Sequence, residues 1–229
     1  MVVTRPIFTP SGKDFDRHFG EKSLEDALSR AFESEDALVY TPEILMSENI
    51  EPTETKVIFR TKYNSDGKSR SLSAKPVDVE RGYIYKIKNE KWIAASIPVN
   101  QDFYWNADVK LCNRTIKIST PPVKTKVGVD DRGRPIYEYI SEREFDVPCV
   151  IESTYYSVDT NNQITPPDGQ LTITLPYFDN VYNYEVNDEP IIDGNKYKVI
   201  DKITTEQTDK IGILIIKLDR IVGDSNAKT

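Results

Sequence analysis

The sequence is poor in the residues that most chemistry needs. It holds one histidine, His18, two cysteines, two tryptophans, two methionines and only ten glycines in 229 residues. A Ser-His-Asp or Cys-His catalytic set would have to use His18, which lies between Arg17 and Phe19 in a polar stretch. Structural zinc spacing is absent, because Cys112 and Cys149 lie far apart in the chain and no second histidine exists. No GxGxxG or P-loop string occurs, and no acidic run has the spacing of an EF-hand loop. The acidic pairs Asp130-Asp131 and Asp188-Glu189 fall at predicted turns, where Asp is favoured for bonding its own backbone. The chain therefore reads as non-enzymatic, with no cofactor and no metal.

Basic excess is missing too. Thirty Lys and Arg stand against 37 Asp and Glu, for a net charge of −7. Phosphate binding draws on clustered cations that release counterions, so a nucleic-acid grip is not expected. No run of about eighteen apolar residues crosses a membrane. The opening "MVVTRPIFTPSG" lacks the apolar core of a secretory signal, so the protein is expected to stay in the cytosol where it is made. In that reducing setting Cys112 and Cys149 read as small core residues.

What the chain does have is strand chemistry. Tyr outnumbers Phe by 13 to 8, and fourteen prolines punctuate the sequence. Tyr suits half-buried strands and interfaces, where one end of the ring is apolar and the other meets water. One helix is predicted, in "KSLEDALSRAFES". Ser23 caps it, and Leu24, Ala27, Leu28, Ala31 and Phe32 form an apolar stripe at helical spacing. Residues 1–54 thus read as a helical arm and linker, with Leu24, Leu28 and Phe32 as candidate contacts to a neighbouring molecule.

From residue 55 the period changes to two. A β domain is predicted over 55–229, in two hairpin-rich halves at 55–120 and 145–229. The stretch "RGYIYKIKNEKWIAAS" is a hairpin, and "PIIDGNKYKVIDK" repeats its layout, with Trp92 and Tyr197 in matching places. Trp92, Cys112, Cys149 and Tyr197 are the candidate core. The terminal "IGILIIKLD" is apolar on both faces and should be central. Between the halves, "VKTKVGVDDRGRPIYEYISER" reads as a protruding hairpin over 121–144 with "DDRG" at its tip. It is either a loose excursion or an assembly contact. Tyr137 and Tyr139, two apart on one face, favour contact, with Arg132 at the tip. The fold class is mainly β, an antiparallel barrel- or sandwich-like body built of hairpins.

In order, the motifs Arg81-Gly82, Lys91-Trp92, Cys112-Asn113 with Thr115 and Lys117, Pro148-Cys149 and Gly194 resemble a family of tailed-phage proteins. These are the head-closure, or stopper, proteins of the neck in phages of Firmicutes. The likeness runs from about Lys75 to Ile221. It departs at Ile118, where the pattern has Trp, and at Asn89-Glu90, where it has Asn-Gly. The arm and the 121–144 hairpin lie outside it. The resemblance implies a virion protein assembled in the host cytoplasm and placed in the neck. It implies a homo-oligomeric ring, sixfold or twelvefold, between a portal or adaptor ring and a tail-terminator or tail-tube protein. Double-stranded DNA would pass through without sequence-specific binding, and no membrane is involved. The alternative is a tail-tip or baseplate β module binding carbohydrate or protein, with Trp105 as the stacking residue.

Overall fold

The computed structural model describes residues 33–47, 49–62, 67–101, 104–120, 122–140, 143–153, 169–178, 184–204, 207–208 and 211–221. Sixteen strands, one short α-helix and one 3-10 turn (Pro76–Asp78) are defined within them. The fold is mostly β, a closed six-stranded antiparallel barrel beside an open, half-barrel sheet.

The barrel uses β1 (Ser34–Tyr40), β2 (Thr53–Thr61), β3 (Ser69–Ala74), β4 (Ile84–Ile87), β5 (Glu90–Ala94) and β7 (Tyr104–Leu111). Its strand order is β3-β2-β1-β4-β5-β7, and β3 pairs β7 to close the ring. The short β6 (Val99–Gln101) adds to β7. Alternation of apolar residues fills the interior: Ala37 and Val39, Val57, Leu72 and Ala74, Tyr85 and Ile87, Trp92 and Ala94, and Ala107 and Val109. Trp92 is fully buried and meets Phe59 edge to face at 4.9 Å. Arg70 lays its guanidinium over both rings, 4.7 Å from Phe59 and 5.2 Å from Trp92. The Tyr85 hydroxyl donates to the Asp78 carbonyl at 2.9 Å, which satisfies the one polar atom of that buried ring.

The open sheet runs β13-β14-β16-β12-β11-β8. Its members are β8 (Arg114–Thr120), β11 (Arg143–Ser153), β12 (Leu171–Pro176), β13 (Ile191–Ile192), β14 (Asn195–Ile203) and β16 (Ile211–Arg220). β15 (Gln207–Thr208) pairs with β16 off this path. β16 is central, as its two-faced apolar pattern predicts, bonded to β12 on one side and β14 on the other. Its Leu214, Ile216 and Leu218 join Val147, Cys149, Ile173, Leu175, Tyr197 and Val199 in the core of this sheet.

The two sheets share a joint. Ile84 and Ile93 point out of the barrel and pack on Val150 and Ile213 of the open sheet. The β4–β5 hairpin is thus buried on both faces, one by the barrel interior and one by its neighbour. At the same joint Gly82, at φ +88°, sits against the Gly212 backbone, so close that a β-carbon would lie 1.8 Å from the Gly212 carbonyl oxygen. Lys110 of β7 reaches across to Glu152 of β11, at 2.9 Å. The helix α1 (Pro42–Leu45), capped by the Thr41 hydroxyl and opened by Pro42, places Leu45 against both this joint and the open-sheet core.

Two boundaries differ from the sequence reading. The arm and linker do not extend to residue 54, because Ser34–Tyr40 is a barrel strand between β2 and β4. The alternation in "SEDALVY" is short and follows a helical stripe, which hides it. The first half does not run to residue 120 either. The run "DFYWNADVKLCNRTIKIS" breaks after Leu111, and Arg114–Thr120 belongs to the open sheet. Asn113 makes the crossing: its backbone N–H donates to the Cys149 carbonyl at 3.1 Å. Its side-chain amide donates to the Ile151 carbonyl and accepts from the Ile151 N–H, each at 2.8 Å. A side-chain amide there does the work of a strand residue, so the ladder continues where the chain changes sheet. Cys112, a candidate core residue, therefore lies in the two-residue crossing. The predicted helical stripe, with Leu24, Leu28 and Phe32, lies outside the described residues.

Candidate interaction surfaces

Two features stand out from the packed body. The first is a ribbon. β9 (Val123–Val129) and β10 (Pro135–Ile140) form a two-stranded sheet of their own. It continues the β8–β11 pair: Thr120 stands opposite Arg143, and Val123 opposite Ile140, with two residues between on each strand. Its tip is an Asx turn, in which the Asp130 carboxylate accepts from the backbone N–H groups of Arg132 and Arg134 at 2.9 and 2.8 Å. Gly133 supplies the positive φ of +74°. A register shift between Ile136 and Tyr137 puts a bulge opposite, at Val127.

The ribbon is exposed yet not polar throughout. Val127, Val129, Ile136 and Tyr137 are each between 45 and 57% exposed. Lys126 lies across from Tyr137, Lys124 lies across from Tyr139, and the Lys124 ammonium rides over the Tyr137 ring at 4.2 Å. Such a cluster of apolar and cationic side chains on a thin ribbon is unusual for surface that meets only water.

The second feature is the seam of the half-barrel. β8 and β13 end the order of the open sheet, and both line one cleft of about 820 Å³. The curl of the sheet therefore brings its two edges face to face. Arg114 of β8 bonds Asp193 of the β13–β14 turn at 3.2 Å and ties one end of the gap. The cleft has an apolar floor in Ile116, Tyr184 and Ile192, all nearly buried. Its rim carries Glu185, Asp188, Glu189 and Asp193 against Arg114 and Lys117. Lys196, bonded to Glu189, holds that carboxylate below its ordinary pKa. Ile191 stands 72% exposed at the edge. No sequence signal marked this cleft, because "YEVNDEPIIDG" reads locally as turn residues and the edges that meet are far apart in the chain.

The residues singled out from sequence fall into separate places. Arg132, Tyr137 and Tyr139 are on the ribbon, Trp92 is in the barrel, and Cys149 and Tyr197 are in the open-sheet core. Cys112 packs at the joint. Burial pushes the thiols of Cys112 and Cys149 up to about 12 each, and the Tyr184 hydroxyl to about 12. Such thiols are neutral and inert. Trp105 is half-buried and packs against the barrel core, opposite Ala74. His18 lies outside the described residues. Among the described residues, no group of three or more His, Cys, Asp or Glu could hold a metal ion, and no helix is long and apolar enough to cross a membrane.

The motif residues behind the family resemblance are structural. Gly82 makes the joint, and Lys91 accepts the Cys112 N–H at its carbonyl at 2.8 Å. Asn113 makes the crossing, Thr115 pairs with Pro148, and Gly194 completes a two-residue turn with Asp193, both at positive φ.

Comparison with known proteins finds a prophage relative. The chain is 31% identical over 131 residues to the SPbeta prophage-derived protein YomX of Bacillus subtilis (strain 168). The match spans 56% of this chain and 61% of that protein, so less than two thirds of the relative is covered. No solved structure matches. The YomX C-terminal domain model matches residues 102–219, which takes in β7, the ribbon, and the whole open sheet with its seam. With a prophage relative and a family domain over half its length, this phage-derived chain belongs to the YomX C-terminal domain family.

Proposed function

We propose that the protein is a structural component of a tailed-phage virion. Copies form a ring in the neck that joins the portal to the tail and gives the genome passage. The observation that carries this reading is the ribbon. A chain of phage descent presents a 123–140 hairpin on which four exposed apolar side chains, Val127, Val129, Ile136 and Tyr137, are gathered in one projecting element. A two-stranded ribbon that runs on past its sheet has little packing of its own in water, and a partner would supply it. A closed ring needs heterologous contacts, and a projecting element on one side of the subunit is the means of making them.

The other parts fit the same role. The motif order resembles that of head-closure proteins. The buried cysteines serve the fold. A net charge of −7 suits a duct that must release DNA, since a wall of cations would hold phosphates by counterion release. On this reading the protein is no enzyme, binds no cofactor, assembles in the host cytoplasm and ends in the virion. Its neighbours are a portal or adaptor ring on the head side and a tail-terminator or tail-tube protein on the tail side.

The test is made on particles. Antibody against this chain should label virions at the head–tail junction, and mass spectrometry of purified virions should find it at a low, ring-like copy number. Replacing residues 121–142 by a short Gly-Ser turn should leave filled heads beside free tails. Absence of the protein from virions, or normal virions from the ribbon-less variant, would refute the reading.

A further inference from the structure

The ribbon and the seam are complementary, and they sit where one copy cannot satisfy both. We propose that the β9–β10 ribbon of one copy docks in the β8/β13 seam of the next copy, completing its half-barrel from outside. The inference rests on the ring reading and names the contact that would close the ring.

Chemistry supports the pairing. The seam offers an apolar floor, Ile116, Tyr184 and Ile192, below a charged rim where Arg114, Lys196 and Lys202 bond Asp193, Glu189 and Glu185 and Asp188 adds a further carboxylate. The ribbon offers outward apolar side chains at Val127, Val129, Ile136 and Tyr137, with Lys124 and Lys126 on the Tyr137 side. Apolar tip meets apolar floor, and Lys124 and Lys126 meet a rim that still carries the carboxylate of Asp188. Complementary potentials of this kind set register and partner choice more than raw affinity. The seven residues of β9 span about 23 Å at the usual strand rise, enough to run the length of a strand-sized slot.

Connectivity supports a second copy over the same one. The ribbon prolongs β8 and β11 beyond Thr120 and Arg143, while the seam runs beside β8 from Arg114 to Ser119. To enter its own seam the ribbon would have to reverse direction within the two residues that separate β8 from β9. It leads away from that seam and toward a neighbour's. One copy's ribbon in the next copy's seam is a heterologous contact, and repeated rotation closes it into a ring.

The test uses the full chain. A photoreactive benzoylphenylalanine replaces Tyr137, which is 45% exposed, or Val129, 57% exposed, so that folding is undisturbed. Mixing with isotope-labelled wild type separates crosslinks between copies from those within one. The expected products join the probe to residues 185–193 or 114–119 of a different copy. In parallel, Ile191→Arg changes a side chain already 72% exposed and should raise the concentration needed for assembly at least tenfold with an unchanged melting temperature. Lys124→Glu with Lys126→Glu should do the same, more strongly at low salt. Oligomers whose crosslinks map to the barrel, or that assemble normally with Ile191→Arg, would overturn the docking while leaving the ring. A wild-type chain that stays monomeric at every concentration, alone or with its neck neighbours, would overturn both.

Discussion

A methyl group at Gly82 should separate the two sheets. The position combines two penalties. At φ +88° any L-residue is strained, by about 1–2 kcal/mol. The new β-carbon would also lie 1.8 Å from the Gly212 carbonyl oxygen, which already accepts the Tyr177 N–H at 2.9 Å. Neither backbone can give way without moving the turn before β4 or the start of the central β16. Relief of such overpacking costs about 1–3 kcal/mol more. Gly82→Ala should therefore destabilise by about 2–5 kcal/mol. Gly194 provides the control, because it has a similar φ, +78°, and open space where its β-carbon would go. Gly194→Ala should cost about 1–2 kcal/mol, the strain alone. The difference between the variants measures the joint. Urea unfolding should be followed by tryptophan fluorescence, which reports the barrel through Trp92 and Trp105, and by amide exchange in β16. In wild type the two probes should coincide, as a shared core requires. In Gly82→Ala the open sheet should exchange before the barrel melts. Equal destabilisation by the two substitutions would refute the joint as a determinant of stability.

The remaining predictions follow from burial and pairing. Trp92→Ala empties the barrel interior beside Phe59 and Arg70 and should cost about 3–5 kcal/mol by urea titration. Deleting residues 1–40 removes β1 from between β2 and β4, so the barrel should fail to close and the cooperative melt should vanish. Truncation after Lys210 removes β16, which pairs with both β12 and β14, and should yield an unfolded chain by circular dichroism. Alkaline pH should weaken the fold. Cys112 and Cys149 titrate near 9 when unfolded and at about 12 when folded, so above pH 9 the unfolded chain loses protons that the folded one keeps. The thiols' contribution should be constant below pH 9 and stability should fall from there toward 12, and Cys149→Ala should flatten that fall in urea midpoints.

The sequence by itself determined the strand-rich class, the central place of "IGILIIKLD" and the turn at Asp193-Gly194. These are local properties. Period-two alternation, a run apolar on both faces and a pair able to take positive φ each act within a few residues. It also carried the motifs, Gly82 and Asn113 among them, without showing what they do. Their roles depend on atoms more than thirty residues away: the Gly212 carbonyl for one, the backbone of Cys149 and Ile151 for the other. Tertiary structure alone decided that β1 belongs to the barrel, because a seven-residue strand that follows a helical stripe draws its stability from its neighbours' pairing. It alone decided that Arg114–Thr120 changes sheet, since the phase shift from Val109 and Leu111 to Ile116 and Ile118 reads as well as a bulge within one strand, and only the partners of the Asn113 amide make it a crossing. The seam, finally, exists because a twisted sheet curls until its two edges meet, and the curl belongs to the six strands together rather than to any residue in them.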